Sequence, residues 1–108
     1  MVSYSITEVA EMLGLKKSRV EQMLKDGQLL WEGRNRVRAD SLVEGRHGWE
    51  PLDGLAGTLT VLSDHGFSRE EAVEWLYEDN DLLGDTPLNM LRGGFKHRVN
   101  RAVSMAGA

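Results

Sequence analysis

Apolar residues recur at helical spacing near the start of the chain, where Ile6, Val9, Ala10 and Leu13 fall on one face. Ahead of that stripe, Ser5-Ile6-Thr7-Glu8 reads as a capping box. In it the Ser5 hydroxyl accepts from the Glu8 amide, and the Glu8 carboxylate accepts from the Ser5 amide. Gly14 stops the helix, since glycine takes positive φ at no steric cost, and Leu15 is expected to pack back. A second helix over about 17–25 buries Val20, Met23 and Leu24, turns Ser18, Arg19, Gln22 and Lys25 outward, and ends at Gly27.

The period then changes. Leu29-Leu30-Trp31-Glu32 and Arg36-Val37-Arg38-Ala39 flank Gly33-Arg34-Asn35, which predicts a short hairpin. Asp40 or Ser41 is expected to cap a brief helical turn containing Leu42 and Val43. Residues 44–51, with Gly45, Gly48 and Pro51, read as a linker.

Helical spacing returns with Leu52, Leu55, Leu59 and Leu62, in a helix over about 52–65 that ends at Gly66. A second capping box, Ser68-Arg69-Glu70-Glu71, opens a helix burying Ala72, Val73, Trp75 and Leu76. After a loop from Asn80 to Asp85, Thr86-Pro87 supplies an N-cap and a proline at the first helical position, where its missing N–H costs nothing. Leu88 and Leu91 face inward and Gly93-Gly94 breaks this short helix. A last one over about 95–106 buries Phe95, Val99, Ala102 and Val103. The expected fold is mainly α: a helix-turn-helix with a small β-hairpin wing over 1–45, and a C-terminal helical subdomain over 46–108 packed on it.

A chain of 108 residues buries about 60–70% of its unfolded surface, too little for two large cores. Its composition, 41% hydrophobic and 28% charged, is that of an ordinary globular protein. No apolar run approaches the roughly 20 residues of a membrane span. No basic segment followed by an apolar stretch opens the chain, so no secretory leader is expected. The absence of cysteine excludes disulfides and thiolate metal sites and suits the cytoplasm. His47, His65 and His97 lie far apart, without ligand spacing, and read as surface or interfacial rings. No phosphate loop, nucleophile–base pair or perturbed carboxylate pair stands out, so neither an enzyme nor a cofactor is expected.

Charge changes the picture. The net charge is −4, yet residues 16–38 hold seven basic side chains against three acidic ones. A local basic stripe matters more to a polyanion than the overall sum. A helix fits the major groove of DNA, and Ser18, Arg19 and Gln22 would meet base edges. Lys16, Lys17, Lys25, Arg34, Arg36 and Arg38, with Asn35 at the hairpin turn, would hold the backbone. Alternation puts Arg36 and Arg38 on one strand face. The plainer alternative is a solvated, charged surface.

The stretch Tyr4 to Leu15, followed by Ser18-Arg19-Val20 and Lys25-Asp26-Gly27-Gln28-Leu29, resembles the MerR/excisionase-like winged helix-turn-helix class over about residues 4–43. Lys16-Lys17 departs from the Ser-Pro often found there. The whole chain resembles a small actinobacterial family of DNA-binding regulators that join this module to a C-terminal helical domain. That match runs through Leu52-Asp53-Gly54-Leu55, Leu59-Thr60-Val61-Leu62, Gly66-Phe67 and Glu74-Trp75-Leu76 to Arg101-Ala102-Val103-Ser104-Met105-Ala106. The resemblance implies double-stranded DNA as partner and a role in bacterial transcription regulation. The segments around Trp75, Leu83-Gly84 and Thr86 to Leu91 also resemble the C-terminal domain of Xre/MbcA/ParS-type antitoxins. That implies the alternative of a protein-interaction module, or self-association as a homodimer, through the C-terminal helices. The acidic residues Glu70, Glu71, Glu74, Glu78, Asp79 and Asp81 are expected to form a solvated face.

Overall fold

The computed structural model describes residues 2–106. The chain divides into two compact units, Met1–Leu52 and Asp53–Ala108.

In the first unit, strand β1 (Ser3–Ser5) leads directly into helix α1 (Ile6–Leu13). The Ser5–Glu8 capping box forms in both directions, at 2.8 and 3.1 Å, and satisfies two of the orphan amides of the first turn. Gly14 ends α1 at φ 66° and ψ 35°, a left-handed conformation that a Cβ would strain. Its turn is closed by the Leu15 amide donating to Ala10 O at 2.9 Å. Helix α2 (Lys17–Lys25) follows and buries Val20 and Met23.

Strands β2 (Trp31–Glu32) and β3 (Arg36–Arg38) form the expected hairpin around Gly33-Arg34-Asn35, with Glu32 opposite Arg36 and Trp31 opposite Val37. Strand β1 completes a three-stranded antiparallel sheet of order β1-β3-β2, pairing Ser3 with Arg38, Tyr4 with Val37 and Ser5 with Arg36. A single core cluster of Val9, Ala10, Val20, Met23, Leu29, Val37 and Leu42 ties both helices to the sheet. This is the helix-turn-helix with a wing expected from the sequence.

Three expectations fail here. The helical turn through Leu42 and Val43 is instead a 3-10 turn (Ala39–Ser41) running into strand β4 (Leu42–Gly45). The linker over 44–51 is instead the rest of a second hairpin, with strand β5 (Gly48–Pro51) pairing Val43 with Glu50 and Glu44 with Trp49. Gly45 and Gly48 therefore flank a two-residue turn, Gly48 at φ 119°, where side-chain-bearing residues are strained. Leu15 does not pack back. Its amide closes the helix end on Ala10 O, yet its side chain stays 41% exposed.

The second unit is helical: α3 (Leu55–Asp64), α4 (Arg69–Tyr77), α5 (Pro87–Arg92) and α6 (Lys96–Ala106). Leu62, Ala72 and Val103 form one core cluster, with Leu59, Val61, Phe67 and Trp75 packed against it, and Leu55, Leu76, Leu88, Leu91 and Val99 are buried as well. The buried Thr58 hydroxyl finds a partner by donating to Asn100 Oδ1 at 2.7 Å. The Ser68–Glu71 capping box and the Thr86 cap form as expected. Glu70, Glu71, Glu74, Glu78, Asp79 and Asp81 are all exposed, as expected of a solvated face. Phe95 departs from expectation. It precedes α6 rather than lying within it, and is 46% exposed with the Arg98 guanidinium 5.6 Å from its ring centre. Among the described residues no helix is long and apolar enough to cross a membrane, and no group of three or more His, Cys, Asp or Glu side chains could hold a metal ion.

Candidate nucleic-acid interface

Helix α2 begins without a side-chain cap, because Lys16 occupies the capping position and carries no acceptor. With no acidic residue in its first turn, the positive end of the helix is reinforced by Lys16 and Lys17. Such an end attracts anions. At about 100° per residue, Val20 and Met23 set the inward direction and Ser18, Gln22 and Lys25 line the opposite side. Arg19 and Glu21 lie on opposite flanks by the same geometry. Lys16, Lys17, Ser18, Arg19, Gln22 and Lys25 are all exposed. The Gln22 amide donates to Asp26 Oδ1 at 2.9 Å, one turn along, which fixes its orientation.

The wing residues divide into two groups. Arg34 and Asn35 sit at the exposed turn between β2 and β3. Arg36 and Arg38 share the face of β3 opposite buried Val37, as alternation predicts, but both guanidinium groups are engaged within the fold. Arg36 stays exposed while Nε donates to Ser3 Oγ at 2.8 Å and an Nη donates to Ser3 O at 3.0 Å. It also lies near the start of α1. The Glu8 carboxyl is held below its ordinary range by the Ser5 backbone amide first, then by the Ser5 hydroxyl, with the Arg36 charge adding to both. Arg38 is half-buried: its Nε donates to Trp31 O at 2.8 Å and lies 3.2 Å from Glu32 Oε2. That carboxylate oxygen is buried without a hydrogen bond, so the guanidinium holds it by charge.

Sequence reasoning missed these anchors. Ser3 is 33 positions from Arg36 along the chain, and only pairing of β1 with β3 brings the two together. Trp31 and Glu32 were legible as strand residues, but not as the partners of Arg38. The second hairpin adds exposed Arg46 and His47 at its turn; the signal for it was the pair of glycines three apart, read as linker.

Two family models match. Residues 1–39 match the one described as "DNA-binding protein Rv2175c, wHTH domain", and residues 52–106 match "Rv2175c C-terminal domain of unknown function". DNA-binding protein Rv2175c of Mycobacterium tuberculosis (strain ATCC 25618 / H37Rv) is 30% identical over 100 residues, covering 93% of this chain. The chain spans 65% of that relative's length. The NMR structure of Rv2175c superimposes with a TM-score of 0.73 at 26% identity, over 97% of this chain and 81% of that one. With both units matched in order, the chain belongs to the Rv2175c family.

Proposed function

We propose that this protein binds double-stranded DNA, with α2 entering the major groove and the β2–β3 turn on the neighbouring backbone. The observation that carries the reading is the division of α2: Val20 and Met23 lock one side into the core, while Ser18, Arg19, Gln22 and Lys25 stand exposed. Arg and Gln carry the donors and acceptors that pair with guanine and adenine edges. Lys16, Lys17, Lys25 and Arg34 meet phosphates, and Arg36 joins them with whatever donors Ser3 leaves. Arg38 supports the wing from within. The name of the M. tuberculosis relative, a DNA-binding protein, favours this reading over a merely solvated surface.

The finer role is transcription regulation in a bacterial cytoplasm, by a module of MerR/excisionase-like organisation. Selection of bound duplexes from a random pool tests specificity and half-site spacing together. Two half-sites about one helical turn apart would indicate a dimer. Five phosphate contacts predict a slope of log K against log salt of about −4.5. A flat salt response, with no enrichment from the pool, would refute the reading.

A further inference from the structure

Charge in the C-terminal unit is sharply segregated along the chain. Residues 53–85 hold nine acidic side chains and one basic, whereas residues 86–106 hold four basic and no acidic ones. Three of the four basic residues, Lys96, Arg98 and Arg101, lie on α6 together with His97. Lys96 is half-buried and forms an ion pair with Asp53 at 3.2 Å. His97, Arg98 and Arg101 are exposed.

Burial fixes the orientation of α6. Val99, Ala102 and Val103 point inward, so at about 100° per residue His97 and Arg101 point outward with Arg98 on their flank. Phe95 lies just ahead of them, its exposed ring 5.6 Å from the Arg98 guanidinium. Cation–π contact of this kind steadies an arginine without removing its charge.

Helix stability does not account for the pattern. Cations in the first turn oppose the helix dipole, and Arg98 and Arg101, three apart, repel each other. Among the described residues neither arginine has an acidic partner.

We propose that the outward face of α6, built from His97, Arg98 and Arg101 beside Phe95, is a second contact surface for the phosphate backbone of DNA. This rests on the reading that the chain binds DNA through α2. Guanidinium groups match phosphate geometry with paired donors. The acidic residues of α4 and the following loop would be repelled by a duplex, whereas α6 itself carries no carboxylate. A protein partner fits less well. The exposed large apolar residues on and just ahead of α6 are Phe95 and Met105, which with arginines around them make no apolar centre of the kind a stable protein interface has.

The test uses the full chain carrying Arg98→Ala and Arg101→Ala together. Its binding to a 30-base-pair duplex (about three helical turns) is followed by fluorescence anisotropy over a salt series. Two lost phosphate contacts should make the salt slope shallower by about 1.8. Affinity should fall by a similar factor on selected and random-sequence duplexes, since phosphates carry no sequence. Arg98→Lys with Arg101→Lys should restore most of the slope. If the double alanine variant melts lower than wild type, Arg98→Gln and Arg101→Gln tested singly carry the same expectation at about 0.9 each.

An unchanged slope, in a protein whose binding is weakened by Lys17→Ala, overturns the α6 surface and leaves the α2 reading standing. Unchanged DNA binding with altered sedimentation would assign the face to self-association and equally overturn the proposal. Wild type that binds neither duplex overturns both readings.

Discussion

Substituting Arg38 and Arg34 separately distinguishes a residue that builds the wing from one that touches the ligand. Arg38→Ala removes a charged donor from Trp31 O, at 2.8 Å, and the counter-charge of Glu32 Oε2, at 3.2 Å. Losing a hydrogen bond from a charged group, with its acceptor left unmatched, costs about 1.5–3 kcal/mol. The Arg38 side chain is only 17% exposed, but that of Glu32 is 37% exposed, so water recovers part of the loss. A total of about 2 kcal/mol follows. In a domain of this size that lowers the melting temperature by roughly 8–16 °C. Arg34, exposed at the turn, should change stability by less than about 0.5 kcal/mol when replaced by alanine. It should instead make the salt slope of DNA binding shallower by about 0.9. Thermal melts followed by circular dichroism and anisotropy titrations over a salt series read both quantities. If Arg38→Ala melts like wild type and loses one unit of salt slope, Arg38 is a phosphate ligand and the supporting role assigned to it is wrong.

Gln22→Ala should relax preference at one base position by about 1–3 kcal/mol, read by competition between duplexes, while leaving the salt slope unchanged. Gly14→Ala should destabilise by about 1–2 kcal/mol through backbone strain alone, since a Cβ there meets nothing within 4 Å. The check is a lower denaturant midpoint with an unchanged m-value. Glu8 and Glu71 both titrate below the ordinary glutamate value of 4.5 because the capping amides of Ser5 and Ser68 favour the carboxylate. Their contribution is therefore complete above that pH and is lost as pH falls through the lowered values. Glu8→Gln with Glu71→Gln should flatten the acid limb of a stability–pH profile, and an unaltered limb would count against these caps.

Helices α1, α4 and α5 were legible because each carries its own start signal within four or five residues. Ser5 and Glu8, Ser68 and Glu71, and Thr86 with Pro87 mark starts through contacts three positions apart. Gly14 marks a stop through its backbone alone. The inward stripes of α2 and α6 followed from a period that any helix imposes, and so did the outward row of Ser18, Gln22 and Lys25. Strands of three or four residues offer no such period. Ser3–Ser5 and the hairpin of β4 and β5 exist because of partners elsewhere in the chain. Leu42 pairs with Pro51 where a helical turn was expected, since cross-strand bonds override weak local preference.

Charge followed the same division. The row of positive residues from Lys16 to Arg38 was plain from the sequence, as was the acidic stretch from Glu70 to Asp81. Which arginines are left to face a ligand was decided only by the folded chain. Pairing of β1 with β3 delivers Ser3 to Arg36 across 33 positions that no local pattern encodes, and closure of the β2–β3 hairpin turns the Trp31 carbonyl onto Arg38.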